Sequence, residues 1–86
     1  MKLIRYNDEK RKKLIIERGI DLLEIVYLIE DKKYTTIINH PKKENQRIFI
    51  IKLNNYICCV PFVETDDEIF LKTAYYSRKM NTIFNS

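Results

Sequence analysis

The chain has 86 residues, of which 45% are hydrophobic, 12% aromatic and 33% charged. That is enough for one small domain and too little for two, and such a domain buries roughly 60–65% of the surface its unfolded chain exposes. One Gly and two Pro, with apolar residues spread throughout, argue against a disordered chain.

The net charge of +4 comes from sixteen Lys and Arg against twelve Asp and Glu. The bases crowd the start (Lys2, Arg5, Lys10, Arg11, Lys12, Lys13, Arg18), and an acidic group, Glu64, Asp66, Asp67 and Glu68, comes late. Such a cationic start suits nucleic acid or an acidic protein, and equally a solvated helix face. No run approaches the ~20 apolar residues of a membrane span. Charged residues interrupt the first ten positions as well, so no signal peptide is expected and the expectation is a cytoplasmic protein with no membrane partner.

In chain order, residues 2–6 predict a short strand. Asn7 is a helix N-cap with Asp8 and Glu9 in the first turn, and the helix runs to Arg18, where Gly19 can take the left-handed C-cap conformation. Asp21 and Glu24 have capping-box spacing, Ile20 can staple onto Ile25, and Leu22, Ile25, Val26 and Ile29 form one apolar stripe of a second helix. The β-branched run 34–38 predicts a strand closed by His40-Pro41, and 41–46 a polar loop. Two strands follow, 47–53 and 56–63, joined by Asn54-Asn55, a pair that tolerates the positive φ of a two-residue hairpin. Pro61 cannot donate to a ladder and predicts a bulge or an edge. The acidic stretch 64–68 predicts a second hairpin loop, 69–76 a fourth strand, and 77–86 a tail with a helical turn at 80–84. Together these predict an α+β domain, 1–86, with the N-terminal strand and two helices packed on one face of an antiparallel sheet of about four strands.

Adjacent Cys58 and Cys59 point to opposite faces of a strand and cannot form an ordinary disulfide. One His and no Cys-x-x-Cys leave no recognisable metal-ligand set, and one Gly excludes a glycine-rich phosphate loop, so no cofactor or metal is called for. What remains is a set of cations and proton-transfer groups: His40, Lys43, Arg47, Lys72, Tyr75, Tyr76, Arg78 and Lys79. RNA cleavage without metal needs a group to take the 2′-hydroxyl proton, a cation for the phosphorane and an acid for the leaving oxygen. His40 suits the first or last task, Arg47 and Arg78 can hold a phosphate bidentately, and Tyr75 or Tyr76 can stack on an unpaired base. Each has an ordinary alternative. His40 before Pro41 fits a turn hydrogen bond, Arg47 and Lys72 fit cross-strand ion pairs, Arg78-Lys79 fits a solvated pair, and one of the two tyrosines must pack.

Three segments carry a family resemblance. Tyr6-Asn7-Asp8-Glu9-Lys10 through Glu17-Arg18-Gly19-Ile20-Asp21, Asn45-Gln46-Arg47-Ile48-Phe49, and Tyr75-Tyr76-Ser77-Arg78-Lys79 together resemble, in order and spacing, the BrnT toxins. The resemblance spans residues 5–80. It implies a RelE-like ribonuclease fold and a metal-independent endoribonuclease toxin of a type II toxin–antitoxin pair. Such a toxin cleaves RNA to arrest translation and is neutralised by a cognate antitoxin in a hetero-oligomer. Arg47 and Arg78 match arginines of the family's motifs, and Lys72 matches a basic position after a one-residue insertion. His40 joins them as a catalytic candidate, with Tyr75, Lys43 and Lys79 as RNA contacts. Tyr75-Tyr76-Ser77-Arg78 departs from the family's Ser-Ala-Arg, as Asn54-Asn55 does from its hairpin glycine. A non-catalytic module that binds an antitoxin-like protein or RNA is the alternative.

Overall fold

The computed structural model describes residues 2–85. Its elements are β1 (Leu3–Arg5), α1 (Asp8–Arg18), α2 (Leu22–Glu30), β2 (Thr36–Asn39), β3 (Gln46–Leu53), β4 (Tyr56–Glu64), β5 (Glu68–Leu71), β6 (Tyr75–Tyr76) and α3 (Arg78–Phe84). The result is an α+β domain built on a six-stranded sheet.

The two predicted helices form where their caps place them. Asn7 Oδ1 accepts from the Lys10 amide at 3.0 Å, and Asp21 Oδ1 accepts from the Leu23 amide at 2.9 Å. Gly19 sits at φ 66°, which turns its own N–H and that of Ile20 back onto the carbonyls of Ile15 and Leu14. No atom lies within 4 Å of a Cβ added there, so Gly19→Ala meets backbone strain alone. We expect a loss of about 1 kcal/mol, read as a melting temperature lower by about 4–8 °C. The reach-back by Glu24 is not made. Arg11 of α1 instead donates to both oxygens of Asp21, at 2.8 and 3.1 Å, and locks the two helices together.

Strand order is β1-β5-β4-β3-β2, with β6 also paired to β4. This corrects the expected four-stranded antiparallel sheet in three ways. First, the sheet is mixed, because β1 enters it parallel to β5 with Leu3 opposite Glu68. Second, the predicted strand 69–76 is broken. Phe62 faces Leu71 and Cys59 faces Tyr75, so the chain takes four steps where β4 takes three, and one extra residue bulges around Thr73. Pro61 explains the place. Its carbonyl accepts from the Lys72 amide at 2.8 Å on this side, but its ring nitrogen has no proton to return. The bulge is anchored by Arg18, whose guanidinium donates to the Ala74 carbonyl at 2.8 Å. Third, α1 and α2 share one face as expected, but a further helix, α3, covers the other. Phe49, Ile51, Leu53, Cys58, Val60, Phe62, Leu71 and Ala74 pack under α1 and α2, whereas Ile48, Ile50, Ile57 and Cys59 pack under Met80 and Phe84 of α3. Ser77 caps α3 by accepting from the Met80 amide, which extends the expected turn at 80–84 to a seven-residue helix. The final residue of the predicted tail, Ser86, lies outside the described residues.

The β3–β4 hairpin forms at Asn54 and Asn55, with φ 53° and 63°. The acidic loop tightens to a turn at Thr65, whose hydroxyl oxygen accepts from the amides of Asp67 and Glu68. Glu64 thereby becomes the last residue of β4.

Candidate functional site

Arg47 and Phe62 are cross-strand partners at one end of the β3–β4 ladder, and Glu64 lies two residues beyond Phe62 on the same face. The guanidinium of Arg47 lies 5.4 Å from the centre of the Phe62 ring and donates from Nη2 to Glu64 Oε1. Pairing of β1 with β5 brings in Lys2, whose Nζ donates to Glu64 Oε2 at 2.8 Å. One carboxylate is therefore held between two cations. The Lys2 hydrogen bond, opposed by burial and helped by the Arg47 hydrogen bond, holds the Glu64 carboxyl below the usual carboxylate range. Glu64 is ionised at neutral pH.

Beside this trio opens a cavity of about 240 Å³ beyond the last turn of α2. Its walls include Ile4, Ile29, Ile37 and Ile69, and Lys2, Lys32, Arg47 and Glu64 contribute polar groups. Its floor is an aromatic row. Tyr34 meets Phe49 edge-on at 5.1 Å, and Phe49 stacks on Phe62 at 4.3 Å. The arrangement sets a carboxylate, two cations paired with it and an apolar recess within one small area.

The residues singled out from the sequence do not all meet here. Arg47 is at the centre. His40 Nδ1 accepts from the amides of Lys42 and Lys43, both at 3.1 Å, so the imidazole is engaged in the turn hydrogen bond considered from sequence. Lys43 belongs to that turn and is exposed. Arg78 is the first residue of α3 and lines a separate depression with Asn54, Tyr56 and Tyr76, at the hairpin end of the ladder. Six residue steps along β3 separate that end from Arg47, about 20 Å at the rise of a strand. Lys79 is exposed beside Arg78. Tyr75 packs against the cluster of Ile48, Ile50, Ile57 and Cys59, and burial raises its hydroxyl pKa. Tyr76 faces the opposite way and its hydroxyl accepts from Asn54 Nδ2 at 3.0 Å. Lys72 stands at the bulge, at the far end of β5 from Glu64.

Sequence reasoning missed Glu64 and Lys2. The sequence alone places Glu64 in an acidic loop, and Lys2 lies 62 residues away from it. The available signal was that Glu64 keeps the alternation of Val60 and Phe62, which places it on the same face as the core.

Cys58 and Cys59 are buried on opposite faces of β4. Burial pushes the Cys58 thiol up to about 12 and raises Cys59 as well. Neither thiol is expected to react with a disulfide reagent at pH 8 in the native protein, and both should react after unfolding. Titration with and without denaturant checks this.

Among the described residues no group of three or more His, Cys, Asp or Glu is disposed to hold a metal ion, and no helix is long and apolar enough to cross a membrane. The fold and the site define a small α+β domain with an ionic trio at the open end of its sheet. No family model, curated protein or solved structure matches the chain.

Proposed function

We propose that this protein is a metal-independent endoribonuclease toxin of a type II toxin–antitoxin pair, RelE-like in fold and similar to the BrnT toxins. The supporting observation is the Glu64 carboxylate held by Lys2 and Arg47 at the mouth of an apolar cavity. In this reading Glu64 takes the proton from the ribose 2′-hydroxyl, and the 2′-oxygen attacks the adjacent phosphorus. Arg47 and Lys2 neutralise the charge that builds on the phosphorane. The bond from phosphorus to the 5′-oxygen breaks, and Lys2 supplies the proton to that oxygen. The products are a 2′,3′-cyclic phosphate and a 5′-hydroxyl. A cognate antitoxin protein neutralises the toxin in a hetero-oligomer.

Incubation of the purified protein with labelled single-stranded RNA in EDTA tests this. Cleavage with cyclic-phosphate ends is the expected result, and RNA that stays intact overturns the nuclease reading. A non-catalytic RNA- or antitoxin-binding module is the second reading. It is favoured by the position of Arg78, a residue the resemblance implicates, at the opposite end of the β3–β4 ladder from Arg47.

A further inference from the structure

A second charged depression, of about 610 Å³, lies between α1 and the end of β5. Its volume is within the ~300–1,000 Å³ typical of ligand sites. Lys10 and Lys13 reach it from α1, and Lys72 and Phe70 from the β5 side. The bulge is what places Lys72 there: β5 ends at Leu71, and the chain leaves the ladder immediately after the Lys72 amide bonds to Pro61. Lys72 Nζ stays 5.8 Å from the centre of the Phe70 ring.

None of the three lysines is ion-paired among the described residues, where the ion pairs join Lys2, Arg5, Arg11 and Arg47 to carboxylates. Glu9 is the one acidic residue among those lining the depression, so the local balance is strongly positive. Ammonium groups converging from two elements repel one another until an anion sits among them, and a bound phosphate relieves that repulsion. Phe70 adds a second requirement. A half-buried ring beside three cations suits a ligand that carries a planar base next to its phosphate.

We infer that Lys10, Lys13, Lys72 and Phe70 form a binding site for single-stranded RNA, with the lysines on the phosphates and a base against Phe70. The inference deepens the ribonuclease reading by giving the substrate a second holding point at the opposite end of the β1–β5 pair from Glu64. Lys72 then grips backbone and takes no part in the chemistry.

The test uses a fluorescent 2′-O-methyl decauridylate, which cannot be cleaved, so binding is read independently of catalysis. The combined Lys10→Ala, Lys13→Ala and Lys72→Ala variant should bind it about tenfold or more weakly at 0.1 M salt. Each lost phosphate contact lowers the slope of log affinity against log salt by about 0.7, so the slope should fall by about 2. Phe70→Leu keeps the apolar volume and should weaken binding about threefold or more with the slope unchanged. Wild-type affinity and slope in the triple lysine variant would overturn the site. So would displacement of the oligonucleotide by polyglutamate at equal charge concentration together with no effect of Phe70→Leu, since the depression would then be a dock for acidic polypeptide. Binding that follows the expected pattern while the parent leaves ordinary RNA intact removes the nuclease reading and keeps this one.

Discussion

Glu64→Gln is expected to lower the rate of RNA cleavage by about 10²-fold, the low end for a positioned general base, because a carboxylate held below its ordinary pKa is a weak base. The amide preserves the shape and one acceptor for Lys2 or Arg47 but cannot take the 2′-hydroxyl proton. Stability should change little, because partly exposed ion pairs contribute about 0–1 kcal/mol. Single-turnover cleavage and a melting curve on the same sample separate the two effects. The pH profile gives an independent check. Glu64 is held below its ordinary value, so cleavage should fall only as pH drops through the carboxylate range and should be level from about pH 5 upward, until another group titrates. A profile that keeps rising well above the carboxylate range would instead exclude Glu64 as the base. The stability linked to Glu64 has the same sign. It is present above the ordinary carboxylate pKa and is lost as pH falls through the lowered one. Asp21, lowered by its hydrogen bonds from Arg11, adds to that acid-side loss.

Phe62→Ala should be the most destabilising of these substitutions. Phe62 is 1% exposed, stacks on Phe49 and carries the Arg47 guanidinium over its ring. Truncating a buried Phe costs about 3–5 kcal/mol through lost burial and the cavity left behind. A chain of this size has roughly 4–13 kcal/mol in total, so the loss is at least about a quarter of its stability. Denaturant titration measures the loss. Phe62→Leu, which retains most of the volume, should stay folded. It also removes the ring under Arg47, so any fall in cleavage in that variant reports on how the guanidinium is positioned.

The local features were readable in the chain because each depends on neighbours a few residues away. Asn7 and Asp21 cap their helices, Gly19 takes the left-handed turn, Asn54-Asn55 forms the hairpin, and the paired cysteines and paired tyrosines separate to opposite faces. Pro61 predicts a bulge or an edge, but not the extra residue near Lys72 on the neighbouring strand. That it is a bulge facing Pro61 depends on which strand lies beside which.

By itself, then, the sequence determined the two capped helices, the central hairpin and the α+β class, since capping, turn chemistry and alternation act within a few residues. The tertiary structure decided the site. Parallel entry of β1 beside β5 brings Lys2 to Glu64 across 62 residues, and the ladder carries Arg78 to the far end from Arg47. Strand order sets those distances, and no local pattern of residue types encodes strand order.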